Sequence, residues 1–524
     1  MGELSRRSVL ALGAAGAAGA VGLLAGCAPE PVRPTRSPAP TPSPTPTPVR
    51  PPDWDVLAGR IAGELYRPGS AGYPHAKLTE NPIYDDSAPR AVLAAASAKD
   101  VSAAVRFAGE YGIPLALRSG GHSYTGWSAG GGDGTGEPPS LVIDCRRMSA
   151  VTLNGDASVT VGAGASLAQV YTVLGDAGRA IPAGSCATVG ITGLTLGGGV
   201  GVLSRAYGLT CDSLTSVQIV TADGVERTAS STSNEDLLWA CRGGGGGHLG
   251  VVTALTFTTV AAPSVTMFFL SWPMANAASV IGAWQDWAPT ADPRLWSTLK
   301  LLGGARHPAG PQLTVSGTWV GDSGALDGQL APFLASAGAV PSARQAVTHG
   351  YADAMMRYAG CAGIPIQRCT TDAGGALKRE PAANTSHIAS ARLSASGIAD
   401  LLQRVQAAQS VPGMTEGGIS MDALGGAVAS VAADATAFVH RDALATVQYT
   451  STFGVGVDAA PYFEYVRGFR AAMAPHWGDG AYVNYADAKL TRPSRSYFGD
   501  NASRLKAVAR RYDPHRLFTQ PQPY

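Results

Sequence analysis

The chain has 524 residues, 45% of them hydrophobic and 15% charged, with a formal charge of +1. Those proportions exclude a disordered scaffold and allow two domains with a large core. Removing the first 26 residues takes away Arg6, Arg7 and Glu3 and leaves no net charge, so there is no electrostatic case for nucleic acid or an anionic membrane surface.

The N-terminus reads SRRSVLALGAAGAAGAVGLLAGC, a twin arginine ahead of an apolar stretch, which predicts an export signal over residues 1–26. The stretch is about long enough to cross a bilayer, so an uncleaved anchor is the alternative to its removal. Leu24, Ala25, Gly26 and Cys27 resemble a bacterial lipobox, which implies a lipid on Cys27 and an exported, extracytoplasmic protein anchored to the cell membrane. The twin-arginine type implies export of an already folded chain. Residues 27–52, rich in Pro and Thr, predict an extended polyproline II tether that belongs to no fold.

Residues 91–112 carry a helical period, and IPLALRSGGHS then reads as a strand running into a glycine loop that holds His122. SVTVGAGASLAQVYTVLGDAG alternates and then turns helical, which predicts strand, tight turn and helix. A second glycine-rich stretch, PAGSCATVGITGLTLGGGVGVLSRAYGLTCDSL, holds Cys186. Short αβ units continue to about Phe257, past five consecutive glycines at 243–247. From about residue 263 to 480, Trp, Ala and long alternating runs such as AVASVAADATAFVHRDALATVQYTSTF predict a substrate domain. Its architecture is expected to be an antiparallel sheet backed by helices such as ASARLSASGIADLLQRVQA.

Glycine lets main-chain N–H groups come within hydrogen-bonding distance of a diphosphate, because no Cβ intervenes and φ can be positive. The Rossmann fingerprint fails here. Gly199, Gly201 and Ser204, like Gly162, Gly164 and Leu167, break G-x-G-x-x-G at its third position. Taken singly, His122 reads as a turn residue and Cys186 as an inert thiol. Together they place one nucleophile in each of two glycine loops, poised to attack a ring.

The two segments, and the chain from about Tyr84 to its end, resemble the berberine-bridge-enzyme-like FAD-linked oxidases of the vanillyl-alcohol-oxidase type. The resemblance implies an α+β protein: a PCMH-type FAD-binding fold of two α/β subdomains with a substrate domain of antiparallel sheet covered by helices. Its boundaries would be 53–262 for the FAD-binding domain, 263–480 for the substrate domain and 481–524 for a segment that returns to complete the first, ending in a helix and a turn at Asp513 and Pro514. It further implies FAD held covalently, with His122 on the 8α-methyl carbon and Cys186 on C6.

Arg118, Ser119, Gly120, Gly121 and Ser123 would cradle the diphosphate through main-chain N–H groups. Thr188, Val189, Gly190, Gly193, Gly198 and Val252 would line the isoalloxazine and adenosine. Alcohol oxidation needs a base opposite flavin N5. In YVNYAD, Tyr485 is implied as that base, with Tyr482 and Asn484 lining the flavin and Tyr482 next in line for the role. A free tyrosine, with pKa about 10, needs neighbours that lower it or share its proton. Gln448 and Tyr124 are expected as polar contacts to the substrate. In the sugar oxidases of this family a carboxylate two residues after a glutamine activates the tyrosine; here Gln448 is followed by Tyr449 and Thr450, a departure that weighs against a carbohydrate substrate. Arg205 and Asp212 are expected to form a structural ion pair.

With Cys27 given to lipid and Cys186 to flavin, Cys145, Cys211, Cys241, Cys361 and Cys369 remain, an odd set that cannot pair completely. Cys361 and Cys369 are close enough to form a disulfide outside the membrane, or to stay apart. No spacing points to a metal. In related plant enzymes a valine three residues after the flavin cysteine goes with oxygen reactivity, and Val189 occupies that position. The expected activity is therefore oxidation of a CH–OH group by hydride transfer to flavin, with O2 as acceptor and H2O2 as product. A bulky substrate such as an oligosaccharide, glycosylated metabolite or polyphenol fits, and a monomer is expected. The alternatives are a biosynthetic oxidase or cyclase acting on a C–N or C–C bond, a dehydrogenase with another acceptor, and a non-enzymatic surface lipoprotein, which would have no use for both His122 and Cys186.

Overall fold

A computed structural model describes residues 51–132 and 136–524. The expected export signal, the lipidated Cys27 and the tether up to residue 50 lie outside the described residues. Among the described residues no helix is long and apolar enough to cross a membrane.

Four strands, β1 (Glu64–Tyr66), β2 (Ala91–Ala94), β3 (Leu115–Arg118) and β4 (Leu141–Asp144), form a sheet in the order β1-β2-β4-β3, parallel except at β1. The helix expected from residue 91 begins later, at Ala98–Tyr111, and Ala91–Ala94 is strand instead. A short apolar run suits either state; here parallel pairing on β4 buries it. Ser97 Oγ then caps Asp100 N at 3.3 Å and starts the helix, which Gly112 ends at φ +62°.

The next strands are β5 (Val151–Leu153), β6 (Ser158–Gly162), β7 (Arg179–Ala180), β8 (Leu214–Val220), β9 (Glu226–Ser230), β10 (Val251–Thr258) and β11 (Val260–Ala261). Five of them make an antiparallel sheet in the order β5-β6-β10-β8-β9, while β7 pairs with β11. Strand β6, a turn and the helix Leu167–Asp176 follow one another as the alternation predicts, the helix opened by a Ser166–Gln169 capping box.

A seven-stranded antiparallel sheet follows: β12 (Ser264–Trp272), β13 (Leu295–Gly303), β14 (Gln312–Val320), β15 (Ala343–Gly350), β16 (Ala382–Ala389), β17 (Glu416–Ala423) and β18 (Ala445–Thr452), in the order β15-β12-β14-β13-β17-β18-β16. Leu299, Leu301, Val315, Ile419 and Val447 share a core with the helices Ala277–Trp287, Leu326–Ala337, Ala395–Ala407 and Ala460–Trp477. Because successive side chains alternate, Trp296, Thr298, Lys300, Ser420, Asp422 and Gln448 take the other face. Of the long alternating run from residue 427 only β18 is strand; the rest is turns, in which Phe438 packs over Gly198 and Gly243.

The last residues return to the glycine runs. Gln520 Nε2 donates to Gly247 O at 3.0 Å and Tyr524 Oη to Gly244 O at 2.7 Å. Cys361 and Cys369 form a disulfide with Cα atoms 5.8 Å apart. Arg205 and Asp212 do not pair. The Arg205 guanidinium donates to the carbonyls of Leu295, Pro289, Leu424 and Ala291, and Asp212 binds Arg441 at 2.7 Å. Both are structural, since a guanidinium offers five donors to converging carbonyls as readily as to one carboxylate.

Candidate active site

Two loops cross at a point where neither tolerates a side chain. A Cβ on Gly120 would lie 2.2 Å from Gly190 N, and one on Gly190 would lie 2.3 Å from Gly120 N. Ser119 Oγ donates to Ala163 O at 2.7 Å, and His122 Nε2 lies 2.8 Å from Thr188 Oγ1. The loop holding His122 is thus fastened to the loop that follows Cys186. Burial pushes the imidazole down to about 4, so it stands neutral at neutral pH. Of the four free cysteines among the described residues, Cys186 alone is exposed. It opens into the same cavity as His122, and the protein around it raises its thiol.

That cavity has a volume of about 520 Å3 and lies between the glycine loops and the open face of the seven-stranded sheet. A larger surface cleft of about 770 Å3, between residues 109–114 and 511–519, holds none of the expected site residues. On the loop side the main cavity is walled by Ser119, Gly120, Gly121, His122, Ser123, Cys186, Val189, Gly190, Gly193 and Val252, as expected, and also by Gly246, His248 and Gly250. A floor rich in glycine, flanked by two nucleophiles, fits a flavin dinucleotide.

Four expected residues serve differently. Thr188 lies off the wall, where its hydroxyl holds the His122 ring instead of lining the flavin. Arg118 reaches the wall, but its buried guanidinium turns into the protein, donating to Ser128 O, Ala76 O, Lys77 O and Asp144 Oδ2; burial lowers it to about 10. Gly198, at φ +123°, lies off the wall against Phe438 and shapes the loop behind it. Tyr482 is a prop rather than a base: its Oη accepts from Gly199 N at 2.9 Å, Val200 N at 3.2 Å and Asn484 Nδ2 at 2.8 Å. Asn484 also donates to Leu194 O at 2.9 Å and lines the cavity.

Tyr485 does face the cavity. Ser386 Oγ, on β16, donates to its carbonyl at 3.1 Å and to that of Tyr482 at 3.3 Å, which fixes the turn Val483–Tyr485 against the sheet. Tyr124 stacks on Tyr485 with centroids 5.4 Å apart and planes at 9°, and Gln448 Nε2 donates to Tyr124 Oη at 2.6 Å. Burial, then the charge of Asp422, raise the Tyr485 phenol well above the ordinary tyrosine value. No neighbour lowers it, so sharing its proton is the route open to it.

The carboxylate missing after Gln448 is on the adjacent strand. Asp422 of β17 lines the cavity, with Thr298 as its partner on β13 and Ser420, two residues before it, paired with Gln448. Burial raises its carboxyl, against Thr298 and the Lys300 charge. GGISMDALGG gives no hint of this, because only the register of β17 on β18 brings residues 422 and 448 to one wall. Trp296, Thr298, Lys300, Ser316 and Tyr358 complete that wall and were likewise not apparent in the sequence.

Residues 89–230 match the family described as FAD binding domain, and residues 481–523 match Berberine and berberine like. The chain is 31% identical over 464 residues to the uncharacterized FAD-linked oxidoreductase YgaK of Bacillus subtilis (strain 168), covering 88% of this chain and 96% of that one. It is 33% identical over 457 residues to the xylooligosaccharide oxidase of Thermothelomyces thermophilus, covering 83% and 86%. Among solved structures, glucooligosaccharide oxidase from Acremonium strictum, described with a 6-S-cysteinyl, 8α-N1-histidyl FAD, superposes with a TM-score of 0.79 at 29% identity over 89% of this chain and 99% of that one.

Proposed function

The chain belongs to the berberine-bridge-enzyme-like FAD-linked oxidoreductases, and on that premise we propose that it oxidises a CH–OH carbon of an oligosaccharide, with dioxygen as acceptor and hydrogen peroxide as product. The observation that carries the reading is the presence of Tyr485 and the half-buried carboxylate Asp422 in one cavity with His122 and Cys186. When bound, FAD takes a hydride from the substrate carbon and gives the electron pair to oxygen. His122 and Cys186 hold it by two covalent bonds, a reading supported by the attachment named for glucooligosaccharide oxidase. Main-chain N–H groups from Ser119 to Ser123 hold its diphosphate.

Tyr485 Oη takes the substrate hydroxyl proton as its own proton passes toward Asp422. A phenol raised by burial is a poor standing base, and a carboxylate that shares its proton removes that handicap. Gln448 and Tyr124 orient the hydroxyl. The wall opposite the loops offers the aromatic side chains of Trp296, on the sheet, and Tyr358, at the end of the helix Tyr351–Tyr358, together with the hydroxyl-bearing Thr298, Ser316 and Ser420, a mixture suited to sugar rings and their hydroxyl groups. Val189 on the cavity wall supports dioxygen as acceptor. Export and a lipid on Cys27 would place this chemistry on the outer side of the cell membrane; Cys27→Ala should then move the protein from the membrane to the soluble fraction.

The test is a peroxide-coupled screen of xylo-, gluco- and chito-oligosaccharides, with a visible spectrum of the denatured protein. Turnover of at least one series and colour retained after acid precipitation are expected. Release of all flavin removes the covalent reading, and silence on every sugar removes the substrate class.

A further inference from the structure

Glu80 lies at the edge of the flavin site and has no part in the mechanism above. Its N–H donates to Gly121 O at 3.1 Å, which fixes it to the residue before His122. Its Oε2 accepts from Thr371 Oγ1 at 3.0 Å and lies 3.8 Å from His122 Nε2. The side chains of His122 and Glu80 are 22% and 23% exposed, so little water screens the pair. Thr371 follows the loop closed by the Cys361–Cys369 disulfide, which packs against Ala187, the neighbour of Cys186. Arg379 anchors the far end of that segment on Thr79 O and Asp85.

A neutral imidazole carries one N–H and one lone pair, and the group beside each nitrogen decides which is which. A carboxylate beside Nε2 favours the proton there, where it can be donated to Thr188 Oγ1. Nδ1 then keeps the lone pair. We propose that Glu80 is the positioning residue for flavin attachment at His122: it holds the Nε2 proton during approach and accepts it as Nδ1 forms its bond. The inference rests on the covalent reading above.

The step balances as follows. The Nδ1–C8α bond forms and a C–H bond of the 8α-methyl group breaks. One proton leaves from that methyl and one from Nε2, by way of Glu80. The two electrons pass through the ring to dioxygen, which with two protons becomes hydrogen peroxide. Burial, then the charge of Glu80, raises the Cys186 thiol, against Lys300 and Ser185, so the Glu80 charge disfavours the thiolate of the second nucleophile. A role in attachment therefore separates the two bonds, whereas loss of fold would slow both.

Full-length chain made in flavin-starved cells is given FAD in air, and flavin on the His122 and Cys186 peptides is followed by mass against time. Glu80→Gln is expected to slow the His122 bond by about tenfold or more while the Cys186 bond forms at the wild-type rate or faster. Glu80→Asp should recover part of the His122 rate. If Glu80→Gln yields no folded chain, Thr371→Val takes its place, and an intermediate slowing confined to His122 is expected. Equal slowing of both bonds, or a His122 bond at the wild-type rate in the variant, overturns the proposal for Glu80 alone. Wild-type protein with no flavin on His122 overturns the covalent reading, and Glu80's role with it.

Discussion

The two walls of the cavity are built on different principles. The loop wall is main chain, with Gly120 and Gly190 in contact and His122 tied to Thr188. The sheet wall is side chains delivered by alternation and register from β13, β14, β17 and β18. The first has one solution, because a cofactor's diphosphate and ring do not change from enzyme to enzyme. The second leaves each position free to vary with the substrate, provided the strand alternates.

The contrast breaks most violently at the loop crossing. Gly190→Ala places a Cβ 2.1 Å from Ser119 Oγ and 2.3 Å from Gly120 N, an overlap costing about 3 kcal/mol or more with backbone on one side. Flavin content by absorbance should fall to background. Alanine at Gly282, on the helix Ala277–Trp287 and off the cavity wall, where a Cβ meets nothing within 4 Å, should leave flavin content at the wild-type level and the melting temperature at or slightly above it.

On the sheet wall the expected effect is kinetic rather than structural. Asp422→Asn keeps shape and should slow flavin reduction by about 10²-fold while leaving flavin content intact. Burial raises Asp422 above the usual carboxylate value of 3.8; the wild-type reductive rate should therefore climb with pH as Asp422 ionises, through a midpoint above that value, and the variant should lose the climb. A rate profile with the same limb in both proteins would remove Asp422 from the proton path.

Smaller effects sharpen the loop side. His122→Ala and Cys186→Ala should each stay yellow after denaturation through the remaining bond, and the double variant should release its flavin to the supernatant. Replacing both Cys361 and Cys369 by Ser should cost about 2 kcal/mol of stability for so short a loop, read as a lower melting temperature with activity retained.

These differences explain what was legible in the sequence. His122, Cys186 and their glycines could be read because a cradle made of consecutive main-chain groups leaves a contiguous signature. Tyr485 and Asn484 could be read because one turn presents both. Tyr482 sits in the same turn but points at Gly199 and Val200, an orientation that residue type does not encode. Asp422 was invisible, since its neighbourhood is made by residues 298 and 448, which strand register brings to its wall, and by Tyr485, which a distant turn brings to the same cavity. The same holds for strand β2, where pairing with β4 decided between two states that periodicity leaves equal.

The central claim is that Tyr485 removes the substrate proton on the sheet side of a flavin held from the loop side. Anaerobic stopped-flow reduction of Tyr485→Phe by an oligosaccharide tests it directly, because it isolates hydride transfer from oxygen chemistry. A rate lower by about 10²- to 10⁴-fold, with flavin content unchanged, is the expected result. A rate within about threefold of wild type, under 1 kcal/mol of barrier, would contradict it.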